Sequence, residues 1–134
     1  MRQFHLLSFA VLLGCVGGCG DKLPALVQGA KSAGGVGYDC RKAEDPATLS
    51  HLAKSPELSQ RLQEQFPTGS PTDRLEEALV QQGFILHGPC SPDRTMRWAQ
   101  FRRNKNEVVA NVFWRGGDND ELIWTFGDVA YTFL

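Results

Sequence analysis

The sequence predicts an α+β fold in which two short helices pack on one face of a three- to five-stranded antiparallel meander, as a two-layer sandwich. Apolar residues recur every four positions between residues 55 and 83, whereas two-residue alternation and most aromatic residues follow residue 84. Helices that precede a run of hairpins are typical of a sheet covered by helices on one side. Neither pattern occurs before residue 40, so we expect a single domain over residues 40–134.

Residues 1–18 have the form of a secretory signal peptide. Arg2 supplies a basic end, a largely apolar run extends from Leu6 to Gly14, and small residues follow, which is the order found in such signals. The apolar run is shorter than the roughly 20 residues that a membrane-spanning helix needs. We therefore expect the chain to be exported rather than to span a membrane.

Two cysteines, Cys15 and Cys19, lie at the end of this signal, and each follows a glycine. A cysteine after Leu-Leu-Gly or Val-Gly-Gly resembles the lipobox of bacterial lipoproteins, which implies a diacylglyceryl-modified N-terminal cysteine and a membrane anchor made of acyl chains. The Leu-Leu-Gly sequence favours Cys15. The number of remaining cysteines favours Cys19. If Cys19 is lipidated, the mature chain keeps only Cys40 and Cys90 as free thiols, an even number that can pair. We predict lipidation at Cys19, with Cys15 as the alternative.

The residues after these cysteines indicate the destination of the anchor. Val16 and Gly20 stand where the enterobacterial sorting pattern has an aspartate that retains lipoproteins in the inner membrane. Their resemblance to the sorted lipoproteins implies an outer-membrane anchor with the domain facing the periplasm. Residues 19–39 are then the lipidated cysteine and a flexible tether, because residues 20–38 are rich in glycine and alanine and have little periodicity. The alternative is that part of this tether orders against the domain.

The first predicted helix begins after Ser55. This serine is placed as a capping residue and the proline that follows it suits the first helical position. Leu58, Leu62 and Phe66 then form an apolar stripe, and Pro67 ends the helix.

The second predicted helix begins after Ser70, which is again followed by proline. Asp73 is placed for a capping-box contact and its charge is favourable in the first turn. Leu75 and Leu79 supply the buried face, and Gly83 is placed to end the helix in a left-handed conformation.

The remaining residues predict antiparallel strands. Val108, Ala110, Val112 and Trp114 alternate onto one face. The strand before them covers residues 96–103, where the apolar positions change face after position 98 unless a β-bulge intervenes.

A turn over residues 116–120 leads to the next strand, in which Leu122, Trp124 and Phe126 are expected to share a face. Short strands over residues 84–87 and 129–133 complete the meander.

Cys40 and Cys90 are expected to form a disulfide, because an exported chain meets an oxidising compartment. The bond would link the start of the domain to the loop between helices and sheet. A redox-active pair is the alternative, but the two cysteines lack the Cys-x-x-Cys arrangement.

No motif of catalysis or cofactor binding occurs in the chain. His51 and His87 lack further histidines or cysteines at zinc spacing, and no nucleophile elbow or phosphate-binding loop is present. The 14 basic and 15 acidic residues nearly balance, which gives no general attraction to nucleic acid. We expect no enzyme activity, cofactor, metal, nucleic-acid partner or small-molecule substrate.

Two kinds of residue are candidates for partner binding. Arginines concentrate around two predicted strands and could contact anionic headgroups, peptidoglycan-linked acids or an acidic protein, or could simply keep strand edges soluble. Aromatic residues, together with Ile123, are expected to stay near the surface on the sheet face that the helices leave uncovered, unless the tether or a second copy of the chain in a homodimer adds a further layer. The candidates are Arg94, Arg97, Trp98, Arg102, Arg103, Phe113 and Arg115.

The run FPTGSPTDRLEEALVQQGF, followed by RWAQF and two hairpin strands, resembles the SmpA/OmlA group of small lipoproteins, the BamE-like proteins. The resemblance covers residues 66–134 and implies a lipidated cysteine, a tether, a helix and a three-stranded sheet. The helix before residue 66 and the two cysteines of the domain depart from that pattern, so no functional residue is carried over.

Taken together, these observations predict a lipid-anchored periplasmic interaction or scaffold protein of the cell envelope. The alternative is a periplasmic inhibitor or immunity lipoprotein that blocks an envelope-degrading hydrolase. A rigid loop, such as GPCSPDR at residues 88–94, that inserts into an active site would favour the alternative.

Overall fold

A computed structural model describes residues 22–32, 38–42, 45, 54–104 and 107–131. Its elements are a 3₁₀ turn (Cys40–Lys42), helices α1 (Pro56–Gln65) and α2 (Thr72–Gln81), and strands β1 (Ile85–His87), β2 (Met96–Arg103), β3 (Val108–Gly116) and β4 (Leu122–Tyr131). The strands form one antiparallel sheet in the order β1-β2-β3-β4. Helix α1 packs on β4 and α2 packs beside β1, so the predicted α+β fold is confirmed.

Helix α1 begins as the sequence predicts. The Leu58 backbone N–H donates to the Ser55 side chain, proline occupies the first helical position, and Phe66 is the C-cap. Leu58 and Leu62 are fully buried against the sheet. The hydroxyl of Ser59 also donates to the Gly127 carbonyl and accepts from the Gly127 N–H, which joins the helix to the middle of β4.

Helix α2 begins one residue later than the capping pattern predicts. Pro71 occupies the N-cap and makes no side-chain cap, so the predicted capping-box contact of Asp73 is absent. The Thr72 N–H instead donates to the backbone carbonyl of Asp120, in the β3–β4 turn. The helix ends as predicted, because Gly83 has a φ of 89° and the Phe84 N–H returns to the Leu79 carbonyl.

The sheet has two apolar faces. Ala99, Ala110, Val112 and Trp114 lie on the face that contacts the helices, which we call the helix-covered face. The other face, the second face, carries a separate aromatic cluster. Strand β2 pairs with β3 without interruption from Met96 to Arg103. The change of face within β2 therefore needs no bulge, because both sides of the sheet are buried.

The irregularity lies instead between Arg115 and Gly116, at the end of β3. It shifts the pairing so that Leu122 joins the helix-covered core while Trp124 and Phe126 lie on the second face. The prediction that these three side chains share a face is therefore wrong. Strand β4 is also continuous to Tyr131, so the segment predicted as a last strand belongs to it; residues 132–134 lie outside the described residues.

The prediction of a flexible tether is wrong for residues 22–32. Leu26 and Val27 are fully buried in the core beside the helices. The Leu26 N–H donates to the Gln82 side chain, and a guanidinium nitrogen of Arg61 donates to the Leu26 carbonyl at 2.9 Å. These contacts are long-range, which is why the local sequence does not reveal them. The predicted signal peptide, Cys15 and Cys19 lie outside the described residues.

Cys40 and Cys90 form a disulfide across a sequence separation of 50 residues. The bond ties the 3₁₀ turn to the loop before β2, and it places Tyr38 on the second face. The Tyr38 ring packs edge-on against Phe113 and Phe126, with centroids about 5 Å away. Residues 38–42 therefore cover the sheet on the side opposite the helices.

Candidate functional site

The candidate arginines do not form one surface. Alternation along β2 sends Arg97 and Arg103 to the helix-covered face and Arg102 to the second face. Arg115 lies on the second face at the end of β3, and Arg94 lies in the loop before β2. Lys105, the remaining basic residue of this region, lies outside the described residues. The arginines therefore do not form a single basic contact surface along the two strands.

Several of these arginines are engaged within the domain. Arg97 pairs with Glu76 of α2 at 2.9 Å, and Arg115 lies 3.7 Å from Asp93. The Nε–H of Arg102 donates to the Gln100 side chain. Pairs on a surface of this kind contribute little to stability, but they fix where the guanidinium groups lie.

The aromatic candidates are covered rather than exposed. Phe113 is only 6% exposed and Trp98 is half-buried, because residues 38–42 pack over them. The expectation of a surface-exposed Phe113 is therefore wrong, and the further layer formed by the segment before the helices explains it. The expectation holds for Ile123, which is 46% exposed.

A row of stacked rings crosses the second face. His87 stacks on Trp98 with centroids 4.1 Å apart, Trp98 stacks on Phe113, and Phe113 stacks on Phe126. Each ring comes from the next strand at the same register, so the row is a cross-strand ladder. His87 is thus a packing residue at the edge of this ladder.

A polar row lies beside the aromatic ladder. The side-chain amide of Gln100 donates to Asn111 at 2.8 Å, and Asp128 follows on β4. Burial raises the pKa of Asp128 to about 6, and hydrogen bonds from Asn111 only partly oppose that effect. Gln100, Asn111 and residues of the 3₁₀ turn line a cavity of about 350 Å³. The second face therefore carries aromatic rings, side-chain amides and the carboxyl of Asp128, which takes up a proton at a higher pH than an ordinary aspartate.

The loop at residues 88–94 is held rigidly. The Asp93 carboxylate accepts hydrogen bonds from the Ser91 hydroxyl at 2.6 Å and from the Thr95 backbone and hydroxyl. These bonds, with the Ser91 contact the largest, lower the pKa of Asp93 to about 2. The disulfide at Cys90 fixes the other side of the loop, and Pro92 and Arg94 are exposed at its tip.

Three of the large exposed apolar side chains lie at or beside β1, the edge strand on the opposite side of the sheet from β4. Val80 of α2 is 54% exposed, and Ile85 and Leu86 of β1 are 67% and 39% exposed. Val80 and Leu86 line a groove of about 640 Å³ whose remaining lining residues are Asp73, Glu76, Glu77 and Gln81. An apolar floor with carboxylates along its rim suits a partner that presents both apolar and basic side chains.

Strand β1 is the open edge of the described sheet. Among residues 22–32, 38–42, 54–104 and 107–131, no hydrogen bond reaches the outer side of β1, whereas Ser59, Gly69 and Ser70 bond to the outer side of β4. Sequence reasoning missed this edge. The available signal was that Val80 falls outside the buried stripe of α2 and that β1 is short and apolar.

Within the described ranges, no group of three or more histidine, cysteine, aspartate or glutamate side chains is arranged to hold a metal ion. The helices described here are also too short and too polar to cross a bilayer. His51 lies outside the described residues.

Comparison of the chain with protein-family models, curated proteins and solved structures found no match. The resemblance to the SmpA/OmlA group accordingly stays a prediction that rests on the sequence motifs.

Proposed function

We propose that this chain is a lipid-anchored periplasmic protein of the outer membrane that binds an envelope protein partner and has no enzymatic activity. The observation that carries the proposal is the groove between α2 and β1. Its apolar floor is formed by Val80 and Leu86, two of the four large exposed hydrophobic side chains of the described residues. Clusters of this kind are typical of protein-binding surfaces.

The groove favours a particular kind of partner. Glu76 is already paired with Arg97, but Asp73 and Glu77 are exposed on the rim and form no ion pair with the described residues. A basic amphipathic segment of the partner would place apolar side chains on Val80 and Leu86 and basic side chains beside the two carboxylates. An extended segment could also add a strand to the open edge of β1.

Site-specific photo-cross-linking in intact cells tests this function. A photoreactive amino acid is placed at Leu86 of the tagged full chain, and the matched control carries it at Ile123, an exposed apolar residue of β4. We expect one defined protein to be captured from Leu86 and not from Ile123. The double substitution Asp73→Lys and Glu77→Lys should abolish that capture. Equal capture from both positions, or capture that survives the charge reversal, would refute the groove as the partner site.

The inhibitor alternative has support from a different feature, the rigid loop at residues 88–94. Its disulfide, its hydrogen bonds to Asp93 and its exposed tip give the pre-ordered loop that insertion into an active site needs. Adding the purified full chain to envelope hydrolase fractions tests this alternative. Inhibition by the wild-type chain that is lost in Pro92→Gly, with the disulfide intact, would replace the scaffold function with inhibition.

A further inference from the structure

A cavity lies at the outer edge of β4, beside the end of α1. Its volume is about 440 Å³, within the roughly 300–1,000 Å³ that is usual for ligand pockets in proteins. None of its described lining residues carries a charge, so the cavity suits an uncharged ligand. These residues are Gln63, Phe66, Pro67, Thr68, Trp124 and Thr125.

The edge of β4 is covered on both sides of this cavity. On one side, the Thr68 hydroxyl donates to the Ile123 carbonyl. On the other side, both backbone groups of Gly127 are bonded: the Ser55 backbone N–H donates to its carbonyl, and its own N–H donates to the Ser59 hydroxyl. A long partner strand therefore cannot pair with β4, and only the short stretch between these contacts is open.

The backbone of Thr125 faces this open stretch. Every second residue of an antiparallel strand directs its N–H and C=O to the same side, and Gly127 directs both groups outward. The pairing with β3 has no shift between Thr125 and Gly127, so the N–H and C=O of Thr125 also point outward. Neither group has a hydrogen-bond partner among the described residues, although Thr125 is only 4% exposed. Because the backbone groups of buried residues are almost always bonded, this unpartnered pair calls for a ligand.

Helix α1 places an unbonded amide beside the same point. Ser59 contacts Gly127, and Gln63 lies one helical turn further along α1, which matches the two-residue step along β4 from Gly127 to Thr125. The exposed side chain of Gln63 forms no hydrogen bond with the described residues. The half-buried Trp124 supplies an aromatic wall. The cavity thus combines an apolar wall with a few unbonded polar groups.

We infer that this cavity binds an uncharged sugar ring. A sugar hydroxyl can both donate and accept a hydrogen bond, so two neighbouring hydroxyls bond the N–H and the C=O of Thr125 together. The Gln63 amide bonds a further hydroxyl, and the C–H face of the ring packs against Trp124. The cavity and β1 lie at opposite edges of the sheet, so sugar binding does not depend on partner docking in the groove.

Nuclear magnetic resonance of a single backbone group tests this inference. Trp124–Thr125 is the only Trp-Thr pair in the sequence, so carbonyl-¹³C tryptophan combined with ¹⁵N threonine selects the Thr125 N–H signal. The full chain, in micelles of a detergent without a sugar headgroup, is titrated with glucose and with N-acetylglucosamine. Cyclohexanol, a ring of the same size with one hydroxyl, is the control. We expect a saturable shift with the sugars and none with cyclohexanol.

The probes also distinguish the source of the sugar. Tighter binding of N-acetylglucosamine assigns an amino-sugar glycan, such as that of peptidoglycan, and equal or tighter binding of glucose assigns a glycan built on hexoses. N-acetylglycine methylamide, which presents peptide groups without hydroxyls, is titrated in parallel. If it binds as tightly as the sugars, the ligand is a short peptide segment and the inference is wrong.

Substitutions decide whether the shift reports this cavity. Gln63→Ala should weaken sugar binding by about fivefold, as expected for the loss of one hydrogen bond. Gln65→Ala, an exposed glutamine of the same helix that does not line the cavity, is the matched control and should leave binding unchanged. A shift no larger than that with cyclohexanol, or one that Gln63→Ala does not weaken, would overturn the inference. So would a Thr125 signal that moves on Gln63→Ala substitution and not with sugar, because Gln63 itself would then bond the strand edge.

Discussion

At the scale of single residues, the tightest packing lies where α1 crosses β4. A Cβ atom on Gly127 would lie 2.5 Å from Cδ2 of Leu58 and 2.9 Å from the Asn111 carbonyl oxygen. Gly127→Ala therefore forces the helix away from the strand, and we expect it to lower the free energy of unfolding by about 1–3 kcal/mol. Urea denaturation of the purified chain measures this change.

Gly88 is the matched control for that substitution, because a Cβ atom there meets no heavy atom within 4 Å. Gly88→Ala should change the free energy of unfolding by no more than about 0.5 kcal/mol. Equal effects at the two glycines would show that α1 does not press on β4 as closely as the structure indicates.

Asp128 gives the domain a specific dependence on pH. Its pKa is raised from 3.8 to about 6 because burial disfavours the charged form. The folded state therefore holds the proton more tightly than the unfolded state between these pH values. The stability that this carboxyl contributes is present at low pH and is lost as the pH rises through about 6.

Asp128→Asn removes this titration. The stability of the variant relative to the wild type should increase by at most about 3 kcal/mol between roughly pH 4 and pH 7.5. Comparing the two proteins cancels the acids with lowered pKa values, Asp39 and Asp93, which act in the opposite sense at lower pH. The measurement is urea denaturation at both pH values. A difference that does not change with pH would contradict the raised pKa.

At the scale of helices and strands, local signals predicted what local contacts determine. The start of α1 at Ser55, the end of α2 at Gly83 and the alternation of β3 depend on residues within a few positions, and all three are as predicted. The shift at Arg115 and Gly116 depends on pairing with another strand. It could not be predicted from either strand alone, and it changed the face assigned to Leu122.

The candidate site was less predictable than the fold for the same reason. The exposure of Phe113 depends on Tyr38, which lies 75 positions earlier in the chain and is brought there by the disulfide. The arginine series looked continuous in the sequence, but alternation divided it between the two faces. The residues Val80 and Leu86 form a groove only because α2 lies beside β1.

The disulfide is the element that holds the cover on the second face. Replacing Cys40 and Cys90 with serine should lower the free energy of unfolding by up to about 4 kcal/mol, from the loop-closure entropy of a 50-residue separation. Phe113 should also become more accessible as residues 38–42 detach. Denaturation with and without a thiol reductant measures the first effect, and hydrogen exchange of β3 measures the second.

The double serine variant supplies the control for that experiment, since a reductant should not alter its unfolding. Retention of full stability by the reduced wild-type chain would mean that Tyr38 packing, rather than the disulfide, holds the cover in place.

For the molecule as a whole, the packed N-terminal segment changes how the domain relates to its predicted anchor. If Cys19 carries the lipid, only residues 20–22 separate it from Leu23, the start of the packed segment. That stretch reaches at most about 14 Å from Cys19 to Leu23 even when fully extended. The domain would then lie close to the membrane surface rather than on a long tether.

Leu26 tests whether the segment belongs to the domain. Its side chain is fully buried among the core residues of the helices, so Leu26→Ala should lower the free energy of unfolding by about 2–5 kcal/mol, through lost burial and the cavity left behind. Lys31→Ala, an exposed residue of the same segment, should change it by less than about 0.5 kcal/mol. Urea denaturation of the full chain compares the two. If Leu26→Ala is as stable as Lys31→Ala, the segment is a tether after all and the domain is free to move away from the membrane.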